Sequence, residues 1–131
     1  MIDTSAIVAI LKKEPGYESL RDAIIADPDP VMSAATAVEL HIVLTNGLGF
    51  SPENTLGVLK TFGIRLVPFD AAQMKIAAHA HDVYGRRSGS PAKLNFGDCL
   101  SYALATHLGE PLLFVGNDFP FTDVVHSSAP F

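Results

Sequence analysis

Short apolar runs alternate with segments of helical periodicity along nearly the whole chain, and this alternation constrains the fold most strongly. Residues 1–2, 31–34, 64–69, 112–115 and 124–125 are predicted strands. The segments between them place apolar residues three and four positions apart, as amphipathic helices do. Helices that connect successive strands make those strands parallel. The pattern therefore predicts an α/β fold in which helices cover a mostly parallel sheet.

Helices are predicted over residues 5–13, 17–26, 36–45, 51–62, 71–84 and 96–108. Proline and glycine mark several of their ends. Pro15 and Gly16 end the first helix, and Gly47 follows the third. The chain has 131 residues and no repeat, low-complexity tract or linker. It is therefore expected to form one domain over residues 1–131.

Composition excludes several classes of protein. No apolar stretch reaches the ~18 residues that a membrane helix needs, and the N-terminal segment lacks the features of a signal peptide. The single cysteine, Cys99, precludes an internal disulfide and suits a reducing compartment, so a cytoplasmic protein is expected. A net charge of -5 argues against a general nucleic-acid binder. It leaves open a site that holds its substrate through metal ions.

Four acidic residues fall where predicted strands end or helices begin. Asp3 and Asp118 follow strands. Glu39 lies in the first turn of the helix after the second strand, and Asp98 opens the helix after residues 85–95. Ligands of an open α/β sheet bind beyond the carboxyl ends of the strands. Four carboxylates there would repel one another, so the pattern favours a site for a hard cation, Mg²⁺ or Mn²⁺.

Each acid also has a purely structural interpretation. Asp3 suits the N-cap of the first helix, and Glu39 would complete a capping box begun by Thr36. Asp98 suits the first turn of its helix, where the helix dipole favours an acid, and Asp118 suits a turn. If only these roles apply, the chain is a non-catalytic α/β interaction module.

Four segments carry a resemblance to a known family: MIDTSAIVAIL at the start, AVEL at 37–40, LNFGDCLSYALA at 94–105 and PLLFVGNDFPFTDV at 111–124. In this order and spacing they resemble the PIN-domain ribonucleases, above all the VapC toxins of bacterial toxin–antitoxin pairs. The resemblance implies a PIN-like three-layer α/β/α fold with a short, mostly parallel central sheet. It also implies a Mg²⁺- or Mn²⁺-dependent endoribonuclease, a cognate VapB-like antitoxin that occludes the cleft, and usually a homodimer.

The resemblance maps the catalytic acids of the family onto Asp3, Glu39, Asp98 and Asp118, with Asp123 as an accessory acid. Asp3 and Asp98 are expected to bind the metal. Glu39 is expected to hold a metal-bound water or help to bind the metal. Asp118 is expected to ligate through water or to orient a ligand.

Contacts to the RNA substrate are expected from a basic loop and from two hydroxyl groups. Arg86, Arg87 and Lys93 lie in the loop 85–95 and are predicted to contact the RNA backbone. The alternative is a solvated loop after a helix C-terminus, where arginine is favoured anyway. Thr4 and Ser5 could donate to a carboxylate or a phosphate, and both also suit a helix start. Single-stranded RNA is the favoured target because its bases are accessible.

The sequence departs from the family pattern at two points. Only two residues precede Asp3, which makes the first strand very short, and position 117 is an asparagine where relatives often carry an acid. The second departure weakens the case for two metal ions. A nuclease that acts on DNA, or on RNA in processing without an antitoxin, would use the same residues.

Two predicted helices carry apolar residues, some of which could exceed what a small core can bury. These residues are Leu20, Ile24 and Ile25 in 17–26, and Leu56, Leu59 and Phe62 in 51–62. If part of this set is exposed, it would form a groove for an antitoxin helix. The alternative is that all of them face the core.

Overall fold

The structure, a computed structural model, describes residues 1–127. Its elements in chain order are α1 (Thr4–Leu11), α2 (Tyr17–Ala26), β1 (Val31–Ser33), α3 (Ala34–Gly47), α4 (Asn54–Thr61), β2 (Arg65–Val67), α5 (Ala71–Tyr84), α6 (Phe96–Leu108) and a 3₁₀ turn at Phe119–Phe121. Every predicted helix forms, with ends that differ from the prediction by a few residues. Within residues 1–127, no helix is long and apolar enough to cross a membrane.

The strand predictions are only partly confirmed. β1 and β2 pair in parallel, with Met32 opposite Leu66, and β2 is shorter than predicted. The predicted strands near both chain ends reduce to isolated parallel bridges, Ile2 with Leu113 and Leu112 with His126. Each of these segments makes too few backbone pairs to form a continuous ladder.

Backbone hydrogen bonds nevertheless extend the sheet into a five-segment parallel layer. Ile2 N donates to Val31 O at 2.9 Å, and Leu113 N donates to Met1 O at 2.8 Å. Leu112 forms backbone hydrogen bonds of the same kind with residues 125–127. Across the layer the order is β2, β1, residues 1–3, residues 112–114 and residues 125–127. The direction of chain progression therefore reverses between residues 1–3 and 112–114, where open α/β sheets bind ligands.

Side chains alternate between the two faces of this layer. Met1 and Val31 belong to one buried cluster, while the residues after them, Ile2 and Met32, belong to a second. The first cluster includes residues of α5 and α6, and the second includes residues of α1, α2, α3 and α4. This arrangement confirms the three-layer α/β/α fold that the resemblance implied.

The apolar residues of α2 and α4 divide between the core and the surface. Ile24 and Leu59 are buried, whereas Ile25 and Leu56 are each 69% exposed. The alternative that all of these residues face the core is therefore wrong, and the antitoxin groove on the exposed ones stays a prediction.

The start of α3 differs from its prediction in a way that matters for the site. Ser33 is the N-cap, and its Oγ accepts a hydrogen bond from Ala35 N at 3.2 Å. The helix thus begins two residues before Thr36, because a serine is already placed at the end of β1 to cap it. The predicted capping box of Thr36 and Glu39 is wrong. Glu39 lies in the second turn, where its carboxylate is available for other contacts.

Candidate active site

A cleft of about 300 Å³ opens at the carboxyl edge of the layer, beside the reversal of strand order. We call it the acid cleft. Its polar lining includes Asp3, Thr4, Ser5, Glu14, Glu39, Asn95 and Asp98. These residues come from the start of α1 and its following loop, from α3 and from the start of α6. The cleft therefore joins elements that are far apart in sequence.

Asp3 is both a helix cap and a buried carboxylate of the cleft. Its side chain is only 4% exposed, and its Oδ2 accepts hydrogen bonds from Ser5 N at 3.0 Å and Ser5 Oγ at 2.6 Å. Oδ1 accepts a further bond from Ser101 Oγ at 2.5 Å. Ser5 Oγ in turn accepts from Val115 N at 3.0 Å, which links the two segments on either side of the reversal. The capping role that the sequence suggested thus coexists with a place in the cleft.

Glu39 is held toward the cleft by Thr4, whose Oγ1 donates to Glu39 Oε1 at 2.8 Å. Burial raises the pKa of Glu39, and the charge of Asp3 adds to this effect while the bond from Thr4 opposes it. The start of α6 makes room for this carboxylate, since a Cβ at Gly97 would overlap Glu39 Oε2. A side chain at position 97 would therefore displace the Glu39 carboxylate.

Asp98 closes a capping box at the start of α6. Asn95 Oδ1 accepts from Asp98 N at 2.8 Å, and Asp98 Oδ2 accepts from Asn95 N at 3.0 Å. The pKa of Asp98 is raised to about 7, mainly by burial, with smaller contributions from the charges of Asp3, Asp118 and Glu39 and an opposing one from the Asn95 backbone. The four acids thus share one electrostatic environment.

The other predicted site residues lie at different distances from the acid cleft. Asp118 follows residues 112–114 and influences Asp98 through its charge, although it does not line the cleft. Asp123 accepts a hydrogen bond from Tyr102 OH at 2.6 Å and lines a cavity with Gly109, past the end of α6. The structure therefore does not bring Asp123 to the other acids.

Similarity to known proteins agrees with this geometry. The sequence pattern described as PIN domain matches residues 1–125. The chain belongs to the PIN-domain family. It is 46% identical over 127 residues to ribonuclease VapC42 of Mycobacterium tuberculosis (95% of each chain). It is 44% identical over 125 residues to ribonuclease VapC of Mycolicibacterium smegmatis (95% of this chain, 96% of the relative). Identity to ribonuclease VapC30 of Mycobacterium tuberculosis is 39% over 131 residues (99% of each chain).

The carboxylates of this PIN domain suit a hard divalent cation by their chemistry. All the candidate ligands are oxygen atoms, and a cation would oppose both the burial and the neighbouring acidic charges that raise the pKa of Asp98. Within residues 1–127, no three acidic, histidine or cysteine side chains are already close enough to hold an ion. The acids therefore lie in electrostatic reach of one another rather than in coordination contact.

The basic loop of the PIN domain is split between two environments. Arg86 and Arg87 line a second cavity of about 650 Å³ that shares Asn95 with the acid cleft. Lys93 is exposed in the left-handed backbone region, with φ of 52°, and lines neither cavity. Only the two arginines are therefore placed beside a site.

Two residues of the site escaped the sequence analysis. Ser101 lies three positions after Asp98, and this spacing puts both residues on one face of a helix. The spacing could therefore have indicated that Ser101 belongs to the site. Glu14 lines the acid cleft from the loop after α1, and no local pattern indicated it. It pairs loosely with Lys12, with 3.8 Å between Nζ and Oε1.

Proposed function

We propose that this PIN domain is an endoribonuclease toxin that hydrolyses RNA phosphodiester bonds with Mg²⁺ or Mn²⁺ in the acid cleft. The observation that carries the proposal is the convergence of Asp98 with Asp3, Glu39 and Asp118 beside the reversal of strand order. The names of the relatives, all ribonucleases, support RNA as the substrate.

Asp3 and Asp98 would hold the cation, with Glu39 and Asp118 acting directly or through water. When bound, the cation supplies Lewis acidity toward the phosphoryl oxygen and relieves charge on the leaving 3′-oxygen. Asp3 has a remaining lone pair for this role on Oδ1, which accepts one hydrogen bond, from Ser101, whereas Oδ2 accepts two, both from Ser5.

The chain's own hydroxyls and amides keep the carboxylates in place. Ser5 and Ser101 fix the plane of Asp3, Thr4 directs Glu39, and the Asn95 backbone holds one oxygen of Asp98. The raised pKa of Glu39 suits it to take a proton from the water that attacks phosphorus. Asp98 would release its own proton as the cation enters, because carboxylates bind metals in the ionised form.

The test is a comparison of substrates and metals with the purified chain. Labelled single-stranded RNA, hairpin RNA and DNA of one sequence are incubated with Mg²⁺, with Mn²⁺ or with EDTA. We expect cleavage of RNA in either metal, none in EDTA and none of the DNA. Equal cleavage of DNA would instead support a nuclease without preference for RNA, and a chain that cuts nothing would refute the proposal.

We further propose inhibition by a cognate VapB-like antitoxin, and a cytoplasmic homodimer. Val38 and Ile42 on α3 are 59% and 51% exposed and lie one turn apart next to Glu39, so they offer a partner helix an apolar strip beside the acid cleft. An antitoxin bound to this strip should inhibit RNA cleavage by the wild-type protein. The Val38→Glu protein should still cleave RNA in the presence of the antitoxin. The mass in solution, from light scattering, tests the homodimer.

A further inference from the structure

We propose that the cavity between α5 and the start of α6 is a nucleobase pocket for single-stranded RNA, with Phe96 as its stacking surface. The proposal rests on the ribonuclease function proposed above and names how the substrate is held. We call this cavity of about 650 Å³ the base pocket. The residues of its lining used here are Phe69, Met74, Arg86, Arg87, Leu94 and Phe96.

Phe96 is exposed for no evident structural reason. Its side chain is 81% exposed at the first position of α6, a place that does not need an aromatic residue. Leu94 and Cys99, which flank the cap, are both buried in the same cluster and already fix the entry of the chain into the helix. An aromatic ring left in solvent offers a face on which a base can stack.

The base pocket adjoins the acid cleft. Asn95 lines both cavities, and Phe96 lies two residues before Asp98 on the same helix. A nucleotide on Phe96 would therefore place its neighbouring phosphate toward the acids. Phe69 and Met74 add apolar surface to the lining, and Met74 is 53% exposed. Such a surface suits the apolar faces of a base.

Charge distinguishes a nucleotide from other occupants of this pocket. The protein carries a net charge of -5 with 9 Lys and Arg residues, yet two adjacent arginines lie here. Within residues 1–127, neither Arg86 nor Arg87 forms an ion pair. A wholly apolar partner helix would bury both guanidinium groups uncompensated, which is costly. A base with its phosphate matches the apolar walls and the two charges together.

The test uses a fluorescent base in RNA. The chain contains 0 Trp residues, so 2-aminopurine emission is measured without interference from the protein. Single-stranded RNAs carry 2-aminopurine at one position each and are bound to an Asp98→Asn background, which keeps them uncut. Phe96→Ala removes the ring, Phe96→Tyr restores it, and Ile25→Ala removes an exposed apolar side chain on α2 as the matched control.

We expect the 2-aminopurine emission to be quenched at one position of the RNA. Phe96→Ala should lose this quenching and bind the RNA about tenfold more weakly. Phe96→Tyr and Ile25→Ala should keep both the quenching and the affinity. With Asp98 restored, Phe96→Ala should raise KM about tenfold. Unchanged quenching and KM in Phe96→Ala would overturn the pocket even if the chain cleaves RNA. If Phe96→Ala instead breaks up an oligomer, Phe96 is a contact between copies of the chain, and the pocket is overturned as well. Absence of cleavage by wild type refutes only the proposed function, because binding is measured separately.

Discussion

The carboxylate of Glu39 occupies the space that a Cβ on residue 97 would need. The relationship joins α3 to the start of α6 across 58 positions of sequence, 97 minus 39. It explains why the buried second position of a helix is a glycine, a residue that costs up to ~1 kcal/mol relative to alanine in helices. Gly97 therefore serves the geometry of the acid cleft and not the stability of α6.

Gly97→Ala should therefore reduce RNA cleavage strongly while changing the free energy of unfolding little. The added methyl displaces Glu39 from Thr4, but alanine also improves the helix, so the two effects on stability oppose each other. Cleavage rates and urea unfolding measure both quantities. Gly57→Ala is the matched control, because a Cβ there in α4 meets nothing within 4 Å. Equal cleavage by Gly97→Ala and Gly57→Ala would contradict the account.

Asp98 should make the metal-free protein less stable as pH rises. Its folded pKa of about 7 exceeds the ordinary 3.8, so between these values the folded state holds a proton that the unfolded chain has released. The free energy of unfolding then falls with rising pH, and the loss is complete above the folded pKa.

Asp98→Asn has no such proton and retains the bond from Asn95, so it should be the more stable protein at alkaline pH in EDTA. Because Asp98 is partly exposed, the gain is on the order of 1 kcal/mol. Urea unfolding from about pH 5 to about pH 8 measures the difference. If the two proteins change in parallel over this range, Asp98 does not titrate as described.

Ser101 should matter for cleavage as well as for stability. Ser101→Ala removes the donor to Asp3 Oδ1 and should cost ~1–3 kcal/mol together with most of the activity, because the carboxylate loses its fixed orientation. Tyr102→Phe is the control on the same helix, since its hydroxyl donates to Asp123 and not to Asp3. It should lose about 1 kcal/mol of stability and no activity. A Tyr102→Phe protein as inactive as Ser101→Ala would place Asp123 in the catalytic machinery after all.

Local patterns were sufficient to predict that each helix exists and where α6 starts, although not where α3 starts. Helix α1 ends at Leu11, two residues before the predicted end, and α6 begins at Phe96 as predicted, two residues before Asp98. The order of acids at strand ends also predicted their convergence, because parallel strands share one carboxyl edge. These signals depend on residues close in sequence.

Contacts between distant residues could not be predicted in this way. Ser101 meets Asp3 across 98 positions, and only the packing of α6 on the sheet brings them together. Asp123 is close in sequence to Asp118 but turns to Tyr102 instead of the acid cleft. The segments near both chain ends pair only through isolated backbone bridges. Apolar runs in the sequence predict full strands there because they do not show how many backbone pairs form.

The most direct test of the central claim is cleavage of single-stranded RNA by wild type and Asp98→Asn in Mg²⁺, Mn²⁺ and EDTA, with circular dichroism of both proteins and Tyr102→Phe as the control. The account predicts metal-dependent cleavage by wild type and Tyr102→Phe, and a folded Asp98→Asn protein that cuts at least about a hundredfold more slowly. A folded Asp98→Asn protein that cleaves as fast as wild type, or cleavage by wild type that persists in EDTA, would contradict a catalytic metal site in the acid cleft.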